Sequence, residues 1–397
     1  MKSLVILRGL SKKGKLEWCR REGLENFFLS IDSLRKIYYR PELRGNKDYL
    51  SRSYDDIIYR VLLEAVCIRM SSGNLLVVDF GEESTGILEE LALIFGYTIF
   101  WHYDKVPPDY LENPGKYIGK EYILPQREVL KREMEKYGEF DITGKNMVET
   151  YSNIEHYFSD TSRILKLKRH DKVLHVSDLH SHFSLLPSLP SFSEFALVVF
   201  LGDYIDGPEK FGSRSIINEI LTNENKRIIY LEGNHELRLR RYLGWKYLKM
   251  RGRKVISDIL KSDISQDFMN RTEPEFSDLS ENEVYRMLLG MNSVLREFVR
   301  YEKCGKLYIC THCGLRWVDQ VSPKYIGSVI YSNKNPNMLD SEFSKSYYKE
   351  GLISIHGHCK YPDGYKPSKF PGVFNIDPEN EDSINYLISN KIWTVKE

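Results

Sequence analysis

Three short apolar runs in the middle of the chain each end in side chains that can bind a metal or move a proton. The runs are VLHVSDLH, LVVFLGDYID and IIYLEGNHE, and the polar residues at their ends are Asp178, His180, Asp203, Asp206, Asn234 and His235. Runs of this length, bounded by turn residues and separated by helical patterns, predict buried strands of an α/β sheet. Because ligands of such sheets bind beyond the carboxyl ends of the strands, we expect these side chains to converge on one site.

Two later strand-like runs add imidazole groups to this set. LYICTHCGL supplies His312, and LISIHGHCKY supplies His356 and His358. Carboxylate, imidazole and carboxamide ligands suit a first-row divalent metal better than a site built from thiolates would. The sequence therefore predicts a divalent-metal site at the ends of these strands.

The order of these motifs is that of a known family. D-x-H, G-D-x-x-D, G-N-H-E, a lone His after a strand and G-H, over roughly residues 173–388, resemble the calcineurin-like metallophosphoesterases. The resemblance implies a β-sandwich flanked by helices and a centre of two divalent metals, which lower the pKa of water and clamp phosphoryl oxygens during in-line displacement. Mn²⁺ is the expected metal, while Fe, Ni²⁺ and Zn²⁺ also suit these ligands.

The resemblance also assigns roles to individual residues. One metal would take Asp178, His180 and Asp203, and the other would take Asp203, Asn234, His312 and His358. His235 is expected to protonate the leaving oxygen while Asp206 orients it and raises its pKa. Asp377 ends the segment GVFNID, which is similar to an active-site segment of polynucleotide kinase-phosphatases, and His356 is expected beside the metal ligands rather than among them.

Two departures from the family pattern bear on the substrate. Many members have a second metal-binding His two residues after the His of G-H, but this chain has Lys360 there. A residue other than His at this position resembles the phosphoprotein phosphatases and the bacterial polynucleotide kinase-phosphatases. Gly207 replaces the arginine of G-D-x-x-D-R-G that grips the substrate phosphate. Arg214 or Arg238 could supply that charge, and His182 could compensate in part. Loss of the guanidinium favours diester or cyclic phosphates, which carry less charge.

The N-terminal region contains a second candidate site. A predicted strand, Leu4 to Leu7, leads into Gly9-x-x-x-x-Gly14-Lys15, which fits the first seven positions of a P-loop. Glycines let backbone N–H groups face phosphate oxygens, and the lysine balances the charge of the β and γ phosphates. The eighth position, which should carry the hydroxyl that binds Mg²⁺, is Leu16.

The rest of this region is similar to the polynucleotide 5′-kinases, which use ATP and Mg²⁺. A predicted strand ends at Asp79 in the place of a second Mg²⁺-binding carboxylate. The resemblance makes Asp32 the base that activates a 5′-OH and Arg35 a contact to the acceptor phosphate, with Arg127 or Arg132 on a lid helix. Three interpretations stay open: a working kinase, a kinase-derived fold that only binds nucleotide or nucleic acid, and a structural α/β domain.

These patterns predict an α/β protein of two domains. Residues 1–150 would form a P-loop kinase-like parallel sheet, 151–168 a linker, and 169–397 the phosphoesterase, with a helical insertion at about 237–303. The insertion begins with ELRLRRYLGWKYLKMRGRK, whose basic and aromatic residues predict either nucleic-acid contacts or a solvated helix face. The net charge of +1 gives no global sign of a polyanionic partner.

Composition places the chain among cytoplasmic proteins. The six cysteines are too sparse for a disulfide scaffold, and Cys310 and Cys313 lack the second pair that a zinc site needs. The sequence contains no apolar run long enough to cross a membrane and no signal peptide. It gives no indication of oligomeric state.

The predicted function is a metal-dependent phosphoesterase that acts on RNA or DNA ends, joined to a 5′-OH kinase-like module. It would remove a 3′ phosphate or open a 2′,3′-cyclic phosphate. The enzyme alternative is a protein Ser/Thr phosphatase, because the G-N-H-E and lone-His pattern is shared with that class. The other alternative is a protein that binds nucleotide or nucleic acid through a non-catalytic P-loop domain.

Overall fold

A computed structural model describes most of the chain. The described residues are 2–8, 12–38, 42–44, 47–49, 55–73, 75–80, 86–103, 164–207, 212–262, 264–316, 336–358, 370–378 and 383–396. Within these residues, no helix is both long and apolar enough to cross a bilayer.

The N-terminal part is built on a parallel sheet. Its elements in chain order are β1 (Ser3–Arg8), α1 (Lys12–Arg21), β2 (Phe28–Ser30), α2 (Ile31–Tyr38), β3 (Glu42–Arg44), β4 (Lys47–Tyr49), α3 (Asp55–Ser71), β5 (Leu76–Asp79), α4 (Gly86–Phe95) and β6 (Thr98–Tyr103). The sheet has the order β2-β5-β1-β6, and β3 pairs with β4 separately. Residues 3–7 of β1 and all of β5 are buried, and the two neighbours run in the same direction, so their carboxyl ends lie side by side.

The C-terminal part is a sandwich of two sheets flanked by helices. Its strands are β7 (Leu165–Lys166), β8 (Val173–Ser177), β9 (Leu197–Phe200), β10 (Ile228–Leu231), β11 (Leu295–Arg296), β12 (Phe298–Lys303), β13 (Lys306–Thr311), β14 (Leu352–His356), β15 (Val373–Asn375), β16 (Ser383–Ile388) and β17 (Lys391–Lys396). One sheet has the order β11-β10-β9-β8-β16-β17 and the other β15-β14-β13-β12-β7. Apolar side chains from both sheets, such as Val199 and Ile355, fill the space between them.

The helices of this part pack outside the sandwich. They are α5 (Gly212–Thr222), α6 (Asn234–Met250), α7 (Lys254–Ser262), α8 (Gln266–Arg271), α9 (Glu273–Phe276), α10 (Glu281–Val294) and α11 (Pro336–Tyr347). α10 opens with a capping box formed by Ser280 and Glu283, in which each side chain accepts from the other's backbone N–H. β7 lies in the segment predicted as a linker, where it pairs with β12 as part of the second sheet.

A buried charge network joins the two parts of the chain. Lys2 Nζ is 2.7 Å from Glu232 Oε2, and Arg240 of α6 forms an ion pair with the other oxygen of Glu232. The three side chains are at most 4% exposed. Beside them α6 contacts α4 so closely that a Cβ at Gly244 would lie 2.4 Å from Ile94. Because the packing excludes water, removing any one of these three side chains would leave a buried charge without its partner, which is costly in free energy.

The basic segment at the start of the predicted insertion is largely engaged in protein contacts. Arg240 binds Glu232 within the C-terminal part, and Arg251 and Arg253 both bind Glu90 of α4 in the N-terminal part. These guanidinium groups therefore have carboxylate partners within the protein. The basic segment therefore belongs to a helix that packs between the two parts of the chain. This is a third interpretation of its charges, beside nucleic-acid contact and a solvated helix face.

Candidate metal centre and active site

Four donor atoms of the predicted metal ligands meet at His312. Its Nε2 lies 2.9 Å from Asn234 Oδ1, 3.1 Å from His358 Nδ1 and 3.3 Å from Asp203 Oδ1. His312 Nδ1 lies 2.8 Å from the carbonyl oxygen of Leu201, to which it can only donate. In the neutral imidazole this bond leaves the lone pair on Nε2, as a metal ligand requires.

The chemistry of this donor set fits a divalent cation. Burial alone would lower the pKa of His312, but the Asp203 carboxylate, the Leu201 carbonyl and Glu236 together outweigh burial and raise that pKa. A proton on Nε2 can be donated to only one of the three facing atoms. A metal ion accepts an electron pair from every one of them, including the Asn234 oxygen, which cannot donate a hydrogen bond. The predicted second metal therefore has a suitable place here.

A second group of donors contains Asp178. Its carboxylate, that of Asp203 and the ring of His312 bring ligand atoms within 4.8 Å of one another. Burial raises the pKa of Asp178, and the nearby carboxylates of Asp377 and Asp203 raise it further. Buried carboxylates this close repel each other unless a cation lies between them. Asp203 and His312 are common to both groups of donors, and a carboxylate shared by both suits the bridging role predicted for Asp203.

His180 lies at the edge of this arrangement. Its Nδ1 is 3.4 Å from the carbonyl oxygen of Ile205, and its ring centroid is 5.1 Å from that of His235. Among the described residues His180 is not in either close group of donor atoms. The structure thus places His180 beside the predicted acid, His235, and outside the donor group that contains Asp178 and Asp203.

The predicted acid and its orienting carboxylate are in contact. His235 Nδ1 lies 2.7 Å from Asp206 Oδ2, and His235 Nε2 lies 3.7 Å from Asp203 Oδ2. Burial lowers the pKa of His235, but the charges of Asp203 and Asp206 outweigh burial and raise it. The imidazole therefore holds its proton on the side that faces the metal ligands, where a leaving group would bind.

We expect Asp206→Asn to lower turnover about 100-fold for an alkyl phosphate monoester, whose leaving oxygen needs a proton. Loss of the carboxylate lowers the pKa of His235, so the alkaline fall in activity, which follows deprotonation of His235, moves to lower pH. The pH–rate profile of the variant measures this shift. p-Nitrophenyl phosphate serves as the control because its leaving group departs without protonation. Equal losses on both substrates would contradict the role of Asp206.

Glu236 organises the site, although the sequence assigned it no role. Its Oε2 accepts the backbone N–H groups of Gly233 and Asp203, each at 2.9 Å, and its Oε1 accepts that of Tyr204 at 2.8 Å. These bonds tie the loop after β9 to the loop after β10. Burial raises the pKa of Glu236 to about 7, and Asp203 contributes. The signal in the sequence was an acidic third residue in the first turn of α6.

Backbone strain is concentrated at the predicted metal ligands and their neighbours. Positive φ angles occur at Asp178 (46°), His180 (44°), Asp203 (52°), Asp206 (66°) and His358 (72°). Residues other than glycine adopt such angles at a cost, and proteins keep them mostly at functional sites. Gly357 is required for a related reason, because a Cβ there would lie 2.1 Å from Asp178 Oδ2. The strand ends thus turn sharply to aim their side chains at one point.

Other predicted residues lie around this centre. Asp377 is buried near Asp178 and its N–H donates to Asn375 Oδ1 at 3.1 Å. His356 is turned away from the donors, with its Nε2 3.0 Å from Asp340 Oδ1. Cys313 was expected to have no metal role, yet its sulfur lies within 4.8 Å of ligand atoms of His312 and His358. A thiol next to two ring nitrogens can act as an additional soft ligand.

The N-terminal candidate site is only partly within the described residues. Lys15 Nζ lies 2.9 Å from Asp79 Oδ1, and both side chains are buried. Arg35 Nη1 lies 2.9 Å from Asp32 Oδ1 on α2. α1 begins at Lys12, so the second half of the predicted phosphate-binding loop, including Gly14 and Lys15, is helical. Gly9, Arg127 and Arg132 lie outside the described residues.

The comparison with protein families agrees with the C-terminal site. Residues 171–364 match the sequence profile of the family described as calcineurin-like phosphoesterase. Among solved structures, a cold-active protein tyrosine phosphatase is 13% identical with a TM-score of 0.33, and the alignment covers 60% of this chain and 83% of that one. The cold-active protein-tyrosine phosphatase of a psychrophilic Shewanella species is 13% identical with a TM-score of 0.31, over 60% and 82% of the two chains.

Similarity as low as that to the two solved structures carries no argument about activity, and no curated protein matches the chain. The family profile spans the strands that carry Asp178, Asp203, Asn234, His312 and His358. Their side chains form the donor groups found in the structure. Residues 171–364 are therefore a calcineurin-like metallophosphoesterase domain, and the protein is a metal-dependent phosphoesterase.

Proposed function

We propose that the protein repairs nucleic-acid ends, removing a 3′ phosphate or opening a 2′,3′-cyclic phosphate at the phosphoesterase site. The observation that carries the proposal is the buried Lys15–Asp79 pair at the carboxyl ends of the parallel neighbours β1 and β5. That position in an open α/β sheet is where nucleotides bind, and a lysine with a carboxylate suits a triphosphate and its Mg²⁺. A polynucleotide end is a substrate that a kinase-like site and a phosphoesterase site can share.

The residues of the phosphoesterase site suit this reaction. Asp178, Asp203, Asn234, His312 and His358 would hold divalent metals, with His180 as a further ligand in the proposed pair of ions. When bound, such metals supply an activated water and stabilise charge on the phosphoryl oxygens.

The remaining chemistry falls to the protein's own side chains. His235 donates its proton to the leaving ribose oxygen, which is a poor leaving group without it. Asp206 holds the imidazole in place through the 2.7 Å contact. Asp377, near Asp178, lines the side of the site where we place the nucleotide end.

The N-terminal part would bind the same end through its own site. Lys15 would contact a nucleotide phosphate, Asp32 would take the proton of a 5′-OH, and Arg35 would bind the acceptor phosphate. Arg132 would contact a phosphate of the nucleotide. Leu16 removes one ligand of Mg²⁺, so this site either transfers a phosphoryl group slowly or only binds nucleotide.

A second candidate is a protein Ser/Thr phosphatase. The observation in its favour is that Lys360 follows Gly357-His358, a pattern that the phosphoprotein phosphatases share. Such an enzyme would use the same acid and metals on a serine or threonine phosphate and would have no use for Lys15 and Asp79.

End-labelled RNA oligonucleotides test the proposal. With Mn²⁺ present, we expect the 3′-phosphate or the 2′,3′-cyclic substrate to be converted to a 3′-OH or a ring-opened product. Asp178→Ala should abolish this reaction, and Lys15→Ala should leave it unchanged. A third oligonucleotide with a 5′-OH, supplied with ATP, reports on the kinase-like site. Hydrolysis of a phosphoserine peptide with no reaction on either 3′ end would favour the protein phosphatase instead.

A further inference from the structure

The phosphoesterase site is rich in carboxylates, since Asp178, Asp203, Asp206 and Asp377 are all buried in or beside it. These charges would offset much of the charge of the metals, so a further cation would strengthen the binding of a phosphate. Position 207, where the family has its arginine, has no space for any side chain. A Cβ at Gly207 would lie 1.2 Å from the carbonyl oxygen of His180, so the loop after β9 and the loop after β8 approach too closely for a side chain at this position. A phosphate-binding charge must therefore come from another part of the fold.

Two nearby arginines are already engaged. Arg214 donates to Asp278 Oδ1 at 2.9 Å and to the carbonyl oxygen of Glu275 at 3.2 Å. Arg240 is buried in its ion pair with Glu232. Moving either guanidinium to the site would leave a carboxylate or a buried charge without its partner. The free energy lost in this way is several-fold larger than the free energy gained from a contact at the surface.

Arg238 has the position and the freedom that the other two lack. It follows Asn234 by four residues and His235 by three in the first turns of α6, so it lies on the same helix face as both. It is partly buried, and its positive charge acts on the His235 imidazole. Within the described part of the chain it has no ion pair or side-chain hydrogen bond.

We propose that Arg238 binds the non-bridging oxygens of the substrate's phosphoryl group and makes the site selective for phosphomonoesters over phosphodiesters. The guanidinium fork matches two phosphate oxygens at once. A monoester presents a dianion with three such oxygens, whereas a diester presents a monoanion with two. The inference rests on the proposed function and narrows it, since it favours a 3′ monophosphate over a 2′,3′-cyclic phosphate. It also replaces the expectation from Gly207 that diesters would be preferred.

The test compares two small substrates that do not depend on nucleic acid. With Mn²⁺-loaded protein, Arg238→Ala should lower kcat/KM for p-nitrophenyl phosphate about 10- to 100-fold and change that for bis(p-nitrophenyl) phosphate about threefold or less. Arg238→Lys keeps the charge without the fork and should fall between. Lys249→Ala removes one exposed charge from the far end of α6 and should change neither value.

A binding measurement supports the kinetic one. The inhibition constant of inorganic phosphate should rise about as much as kcat/KM for the monoester falls, and melting curves of Arg238→Ala and Arg238→Lys should coincide. Equal effects on both substrates, or none on phosphate inhibition, would overturn the inference. If RNA ends are not processed but the monoester preference still depends on Arg238, the proposed function fails and the inference stands.

Discussion

Asp203→Asn is expected to lower phosphoesterase turnover about 1,000-fold and to reduce the metal content of the purified protein at both groups of donors. The asparagine keeps the shape of the side chain and the oxygen that accepts the backbone N–H of His235 at 3.1 Å. It removes the one negative charge that is common to both groups of donors. Repulsion between Asp178 and Asp203 would fall as well, so the folded protein should survive the change. Metal per protein after gel filtration and turnover of p-nitrophenyl phosphate measure the two effects.

Asp278→Asn is the matched control, because Asp278 binds Arg214 on the surface, away from the donors. It should keep full metal content and turnover. Loss of a single metal in Asp203→Asn, with the other retained, would show that Asp203 is a terminal ligand and would contradict the bridging role.

Glu232→Gln is expected to lower the free energy of unfolding of the whole chain by about 3 to 5 kcal/mol. The change leaves Lys2 and Arg240 buried beside each other without the carboxylate that both bind. Urea denaturation measures the loss. Glu90→Gln is the control, since Glu90 joins the same two parts of the chain through the half-exposed Arg251 and Arg253. Loss of the Glu90 charge should lower the free energy of unfolding by about 1 kcal/mol or less.

The pH dependence of stability checks the same network. Burial would raise the pKa of Glu232, but Arg240 and Lys2 outweigh burial and hold it below its ordinary value. The contribution of a carboxylate with a lowered pKa is present above its unfolded pKa and is lost as the pH falls through its folded pKa. The wild-type protein should therefore lose stability in acid faster than Glu232→Gln does. Parallel acid profiles would show that the network adds nothing.

The sequence was sufficient to predict the strands of the phosphoesterase domain and the strand ends at which the proposed ligands lie. Each ligand follows an apolar run, as with Asp203 after β9 and Asn234 after β10, so local pattern alone places it at a sheet edge. The convergence of Asn234, His312 and His358 follows from the family order of the motifs, and the structure brings these side chains together.

What local pattern could not predict depends on contacts between distant residues. Glu236 organises a loop 32 and 33 residues away, which only the folded chain reveals. Arg240 looked like part of a basic surface until the structure placed Glu232 against it. Leu165 and Lys166 looked like linker because a two-residue strand has too little pattern to detect, and β12 supplies its hydrogen bonds. In each case tertiary contact overrides local propensity.

The burial of Lys2 bears on how the two parts of this chain can be inherited. The amino end of β1 carries Lys2 into the charge network, and its carboxyl end leads towards Lys15. A phosphoesterase half moved to another protein without the N-terminal part would keep Glu232 and Arg240 but lose Lys2, and α6 would lose its contact with Ile94 of α4. The two halves are thus not interchangeable modules. Recombination or gene fission would have to keep β1 with the phosphoesterase or provide another buried cation in place of Lys2.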